Sequence, residues 1–479
     1  MLTLSHRRPK CAWPLRSCLA ALPLLGLCPP QLQANTTFDS GTTTISSGTD
    51  FGTNLYVGHS GTATMHLIAG GSASGAYGYL GYAAGGDGTA MVADGVWTTA
   101  EGLVVGYFGT GALAIQGGRV TSPGGSIGRA HGSSGVVTVT GGTWANDGNL
   151  TVGDSGAGML TIAGGVVTVG GTLSRGSFGT ITLGPGGTLQ IGVAGLTGDL
   201  ATSLTNDGDV VFNRSGTSAY LGTLSGSGAV TKRGDGALTF SGSNTYTGIT
   251  RVDQGTLRIT NPNALQATPI VVRTGGTLAL PNDWRLTLST TSVTVDQNTG
   301  GTVDVGASRI TIGPGGTTAE ALRADLIAGR GAGTFSGTSG IITTGGVAGM
   351  ATNPVVGYRV STSGSAIVAW AAFGDSNLDG QVSQADINLI VTGGKFGLGA
   401  ATNSTWVQGD YNYSAGVTQA DVNLLVGAAL FGQGNYLPPA TAGAGETATS
   451  PLPEPSTTAM ALAGLAYGGF TLWRRRKPW

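Results

Sequence analysis

Residues 80–120 read LGYAAGGDGTAMVADGVWTTAEGLVVGYFGTGALAIQGGRV, and residues 127–167 read IGRAHGSSGVVTVTGGTWANDGNLTVGDSGAGMLTIAGGVV. Superposed at an offset of 47 without a gap, 17 of the 41 positions are identical, among them Gly81/Gly128, Trp97/Trp144, Leu103/Leu150, Gly106/Gly153 and Gly118/Gly165. A shorter unit lies inside this one. An aliphatic-Gly pair recurs at Val57-Gly58, Leu80-Gly81, Val105-Gly106, Ile127-Gly128 and Val152-Gly153, at spacings of 23, 25, 22 and 25 residues. A period near 23 suits one coil of a solenoid, in which each unit buries its inner face only against its neighbours. Inside the units short strands alternate: in Met159-Leu160-Thr161-Ile162, Leu160 and Ile162 point one way and Met159 and Thr161 the other. Gly117-Gly118 and Gly164-Gly165 mark corners where a positive φ is tolerated. At about 4.8 Å per coil the array forms a rod about 60 Å long.

Composition agrees with a rod. The 479 residues include 88 glycines, only 10% are charged, and the net charge is −1. No basic surface exists to hold phosphates, so nucleic acid is excluded as a partner. The 40% of apolar residues alternate with small polar ones, which argues against disorder.

Both ends read as addresses. Arg7, Arg8, Lys10 and Arg16 precede an apolar run from Cys18 to Cys28, and Leu32-Gln33-Ala34 offers a cleavage site before Asn35. Residues 1–34 are thus expected to be a signal peptide; the run is too short to span a bilayer. Leu27 and Pro29 disfavour a lipoprotein reading at Cys28. Removal of this segment takes away Cys11, Cys18 and Cys28, all the cysteines of the chain. At the other end, residues 457–473 form an apolar run of 17, followed by Arg474, Arg475, Arg476 and Lys477. As a helix it would be about 25 Å long, with its basic end on the cytoplasmic side. Pro453, Glu454 and Pro455 stand just before it. This order resembles the PEP-CTERM sorting signal. The resemblance implies processing by an exosortase, a C-terminal transmembrane helix that holds the chain in the inner membrane only transiently, and release to the cell surface or an extracellular matrix.

The 23-residue units resemble the repeats of autotransporters and PEP-CTERM proteins. A sharper match runs from Gly226-Ser-Gly-Ala-Val-Thr-Lys232 through Gly236-Ala-Leu-Thr-Phe-Ser-Gly242 and Asn244-Thr-Tyr-Thr-Gly248 to Gly255-Thr-Leu-Arg-Ile259. It resembles the autotransporter-associated β-strand repeat, which implies passenger-stalk architecture and no catalysis.

No catalytic residue is assigned. A glycosidase needs two carboxylates across a groove, and the acids here are scattered; the one close pair, Asp207 and Asp209, would share a strand face, but Asn206-Asp207-Gly208 reads as a turn. His59 and His131 fall in loops of the repeat, as surface residues. Gly153-Asp154-Ser155-Gly156 mimics a protease nucleophile motif, but one repeat earlier the same place reads Gly106-Tyr107-Phe108-Gly109, so it is a corner of the coil. Gly329-Arg330-Gly331-Ala332-Gly333 lacks the strand-then-helix setting of a phosphate loop and reads as a turn.

One segment carries chemistry. Residues 375–386 read DSNLDGQVSQAD. Counted from one, Asp375, Asn377, Asp379 and Asp386 place side-chain oxygens at positions 1, 3, 5 and 12, Gly380 allows a sharp turn at 6, and Gln381 offers its carbonyl at 7. Six to eight oxygens wrapped around a point suit Ca²⁺. A helix is expected from Gln384. A second copy starts 35 residues later: Asp410, Asn412, Ser414 and Asp421 fill positions 1, 3, 5 and 12, and Gly416 offers the carbonyl at 7. Ser414 replaces a carboxylate and Ala415 takes the glycine position, so weaker binding is expected there. Two such loops, each followed by a helix, resemble the type I dockerin domain, which implies a cohesin-like partner and an association with polysaccharides. Segments such as Leu322–Arg330 ahead of this module resemble surface proteins of planctomycetes and related bacteria.

The expected organisation is mainly β. A signal peptide (1–34) precedes a parallel β-solenoid (35–200), an autotransporter-associated repeat (201–265) and a looser β region (266–371). A small α-helical dockerin-like calcium-loop domain (372–435), a linker (436–452) and a sorting tail (453–479) follow. Two functions fit: a surface structural or adhesive rod with a calcium-dependent interaction module, or a carbohydrate-active protein with that module as its assembly tag.

Overall fold

The computed structural model describes residues 34–265, 268–273, 275–345, 355–399 and 403–437. The tail motif Pro453, Glu454, Pro455, the apolar run 457–473 and the signal segment lie outside the described residues. Within them, no helix is long and apolar enough to cross a membrane.

Coils of the first half contribute three short strands joined by tight corners, or two where the second and third run together, as in Ser72–Leu80 and Val96–Val105. One coil runs through Thr110–Ile115, Arg119–Ser122 and Gly125–Ile127, and the next through Ser134–Val139, Thr143–Asn146 and Leu150–Val152. Every strand pairs in parallel with its counterparts one coil away. The register stacks like on like. Ile45, Leu67, Val92, Ile115, Val139, Ile162 and Leu183 form one buried ladder through seven coils. Trp97, Val120, Trp144, Val167, Leu189, Val210 and Val230 form a second. The 47-residue identity is two coils of this stack. Leu160 and Ile162 are buried while Met159 is exposed, as the alternation predicts. Trp144 donates its Nε1 to Ser122 Oγ at 3.1 Å, and Ser122 in turn donates to Asn146 Oδ1, so the indole fills the core with its polar atom bonded.

The glycine requirement differs from the expectation. It falls on the aliphatic-Gly pairs: Gly106 and Gly153 adopt φ of 74° and 70°, and a Cβ on Gly153 would lie 2.1 Å from Gly179 N of the next coil. Of the Gly-Gly pairs named above, Gly165 alone takes a positive φ; Gly117, Gly118 and Gly164 are small because backbone of the preceding coil passes within 2.4 Å of where a Cβ would stand.

The second ladder runs through residues 200 and 265 without a break, from Val210 through Val230, Thr250 and Ile270 to Val293, while the first ends at Leu183, which makes a single bridge to Asn206. Asn244 is buried between coils, accepting from Leu224 N at 2.8 Å and donating to Ala264 O at 3.0 Å. The region 266–371 departs from a loose β pattern in two ways. A helix, α1 (Ala319–Arg330), follows the strand Arg309–Ile312, with Thr318 capping its N-terminus and Leu322 and Leu326 buried. Then, after a last parallel rung at Gly340–Ile342, the strands Val355–Val360 and Ala366–Ala371 form an antiparallel hairpin, and the second pairs antiparallel with Arg309–Ile312. The rod thus ends in a closing sheet. Two helices of the following module, α2 (Gln384–Gly393) and α3 (Gln419–Ala428), begin where the calcium-loop reading placed them.

Candidate functional site

Loop one (375–386) and loop two (410–421) are wound alike. Asp375 Oδ1 accepts from Asp379 N at 3.1 Å and its Oδ2 from Gly380 N at 2.9 Å. Asp410 does the same with Ser414 N at 2.8 Å and Ala415 N at 2.9 Å. At position 12, Asp386 and Asp421 each accept at 3.1 Å from the position-3 amide, of Asn377 and Asn412. Each also closes a capping box with Ser383 or Thr418. Asn377 and Asn412 accept through Oδ1 from the position-5 amides. The chain turns left-handed at position 4 (Leu378, φ 61°; Tyr413, φ 58°) and at position 6 (Gly380, φ 87°; Ala415, φ 71°). Alanine in that conformation costs about 1–2 kcal/mol, which is a local penalty on loop two.

The position-1 carboxylates are the buried centres: Asp375 is 0% and Asp410 1% exposed. Burial pushes the Asp375 carboxyl up to about 6, against the Tyr436 hydroxyl that donates to its Oδ2 at 2.6 Å. Burial also raises Asp410, opposed by Arg323. Among the described residues no basic side chain pairs with Asp375. A buried carboxylate with no countercharge is costly, and a cation removes that cost. The donor set therefore fits a hard, oxygen-seeking cation. Asp375, Asn377, Asp379, Asp386 and the Gln381 carbonyl would hold it in loop one, and Asp410, Asn412, Ser414, Asp421 and the Gly416 carbonyl are their equivalents in loop two. Among the described residues no three His, Cys, Asp or Glu side chains are drawn into a metal cluster; the loop carboxylates are turned onto backbone amides instead.

The module is seated on the end of the rod. Tyr413 donates its hydroxyl to Val356 O of the hairpin at 2.5 Å, and Trp406, fully buried, stands against Gly357 of the same strand while donating Nε1 to Asp375 O within the module at 2.8 Å. Tyr436, expected in a linker, belongs to the module: its amide donates to Gly380 O at 2.9 Å and its ring packs on Trp370. Its apolar body and polar tip were readable as an anchor, but its partner 61 residues upstream was not.

The scattered acids tie coils together. Asp39 accepts from Gly61 N, Ser60 N and Ser60 Oγ of the next coil at 2.7 Å each, and these bonds lower its carboxyl to about 2. Asp207 takes Ser227 N and Oγ in the same way, and those bonds lower it too. Asp207 lies in a bend, as the sequence suggests, and Asp209 opens the strand that follows.

The structure also assembles an aromatic stack on the outside of the first coils. His59 stacks on Tyr82, Tyr82 on Tyr107 (5.2 Å between centroids), and Arg129 lies 5.1 Å over Tyr107. Each follows the glycine of an aliphatic-Gly pair, which is the sequence signal that places them in one column. In the neighbouring column Tyr56 stacks on Tyr79, and later coils carry Val104, Ser126 and Thr151 there.

Residues 230–259 match the family model of the Passenger-associated-transport-repeat. No curated protein and no solved structure matches the chain. In the matched segment Lys232 is buried, with Nζ donating to the carbonyls of Gly234 at 2.7 Å, Arg233 at 3.0 Å and Gln254 at 3.1 Å; burial lowers it to about 8. Tyr246, also buried, bonds through its hydroxyl to Thr250 Oγ1 at 2.6 Å. The chain thus carries an autotransporter-type repeat inside a continuous parallel β-solenoid.

Proposed function

We propose that this chain is an exported surface rod of the passenger type, structural or adhesive, with a calcium-binding dockerin-like module at the end of the solenoid. The observation that carries the reading is the passenger-associated repeat at 230–259, built into an uninterrupted stack of coils. An acid used to tie one coil to the next, as Asp39 and Asp207 are, is taken up in architecture, which supports a rod over an enzyme. The matched winding of the two loops supports Ca²⁺ as the ion of the module. Val391 on α2 and Val426 on α3, 35 residues apart in the two copies, are both exposed; a cohesin-like module or an extracellular polysaccharide is the proposed partner. Residues 453–479 would act as the sorting tail, cut by an exosortase after transient anchoring through 457–473.

The test is surface exposure in the native host. Protease added to intact cells should digest the full chain, and deletion of 453–479 should leave it unattached, in the medium or the periplasm. Protection of the full chain from protease until the cytoplasm is opened would contradict the reading.

A further inference from the structure

Each loop is docked on the rod by one arginine at the same place. Arg309 Nη2, from the strand Arg309–Ile312, donates to Leu378 O, position 4 of loop one, at 2.5 Å. Arg323 Nη2, from α1, donates to Tyr413 O, position 4 of loop two, at 2.8 Å. The equivalence ends there. Arg323 Nη2 also reaches Asp410 Oδ2 at 3.3 Å, an ion pair whose carboxylate is 1% exposed. At the same oxygen of loop one stands the neutral hydroxyl of Tyr436. A fixed positive charge therefore sits on the position-1 carboxylate of loop two and not on that of loop one. A second oxygen is also engaged. Ser414, where loop one has Asp379, donates its hydroxyl to the position-7 carbonyl of Gly416 at 3.1 Å.

We infer that Arg323 is the resident cation of loop two. It supplies the charge that Ca²⁺ would supply, so loop two stays folded and docked on the rod without calcium, and the chain binds one Ca²⁺, in loop one. The inference rests on the calcium reading of the module. Its chemistry is direct: a divalent ion at Asp410 would have to displace the guanidinium or stand beside it, and like charges in a buried site repel strongly. It also divides the labour between the loops. Loop two is a permanent fastener, and loop one alone couples the module to the calcium concentration outside the cell.

The test is a calorimetric titration of the full chain with Ca²⁺ after chelation, on five forms: wild type, Asp375→Asn, Asp410→Asn, Arg323→Gln and the double variant Asp375→Asn/Arg323→Gln. The expected result is one ion in the wild type, none in Asp375→Asn, and a saturable ion regained in the double variant. Two ions in the wild type, or an ion lost in Asp410→Asn but kept in Asp375→Asn, would overturn the inference and leave the calcium reading standing. No ion regained in a folded double variant would also overturn it. No ion in any form would remove the calcium reading itself. Should the Arg323 variants not fold, hydrogen exchange on the wild type decides. Amides of Ser414 and Ala415, bonded to Asp410, should be protected in chelator, and protection that appears only on adding Ca²⁺ overturns the inference.

Discussion

Gly153→Ala measures how closely the coils approach. The substitution adds one methyl group at a φ of 70°, and that methyl would lie 2.1 Å from Gly179 N and 2.3 Å from Gly179 Cα. The next coil must withdraw by about 1.3 Å to reach an ordinary 3.4 Å contact, against a coil spacing of about 4.8 Å. The bonds that hold this corner to its neighbours are Gly153 N to Ile127 O at 2.7 Å and Gly176 N to Val152 O at 2.9 Å. A withdrawal of that size breaks at least one of them, each worth about 1 kcal/mol. The left-handed conformation adds about 1–2 kcal/mol for alanine, and the residual overlap adds more. We expect a loss of about 3–5 kcal/mol. Gly132→Ala is the control, because Gly132 has φ of 81° and nothing within 4 Å of its Cβ position; it should lose only about 1–2 kcal/mol. Urea unfolding followed by tryptophan fluorescence reads both, since Trp97 and Trp144 are buried in the same stack. Equal losses in the two variants, within about 0.5 kcal/mol, would refute the close approach and the register that produces it.

Further outcomes follow from the same geometry. Lys232→Met leaves three carbonyls without their donor and should cost about 2–4 kcal/mol in the same unfolding assay; a neutral result would mean that the ammonium is dispensable. Asp325 on α1 is buried, accepts from Gln297 Nε2 at 2.5 Å, and is pushed by burial from 3.8 to about 6. The folded carboxyl therefore holds a proton between pH 4 and 6 that the unfolded chain has released, so its contribution to stability is complete below pH 4 and is lost as pH rises through 6. Asp325→Asn should raise stability at pH 7 by about 1–3 kcal/mol and leave it nearly unchanged at pH 4, as two urea curves would show; a gain at pH 4 equal to that at pH 7 would contradict this.

The period of the coils was legible because every aliphatic-Gly pair occupies one corner of one coil, so a local rule repeats in the sequence. The two loops were legible for a related reason: their oxygens, turn residue and caps lie within 12 residues, and each copy carries its own set. What the sequence hid lies across long separations or in exceptions to the repeat. Arg323 meets Asp410 across 87 residues, and Tyr436 meets Asp375 across 61. The strand Val355–Val360 has its first four residues buried, since the module covers the face that would otherwise meet water, so no alternation marks it. Helix α1 carried signals that a search for strands passes over: Thr318 as cap, Glu320 in the first turn, and Leu322 and Leu326 one turn apart.

A thermal melt of the full chain with and without Ca²⁺ tests the proposed calcium-binding module at the end of the rod most directly. Trp406 reports on loop one, because its indole donates to Asp375 O. An ion that binds only the folded loop at a hundredfold its Kd stabilises it by about 2.7 kcal/mol. The transition seen by Trp406 should move up with Ca²⁺, and Asp375→Ala should abolish the shift. A Trp406 transition that does not move up to millimolar Ca²⁺ would contradict the calcium reading.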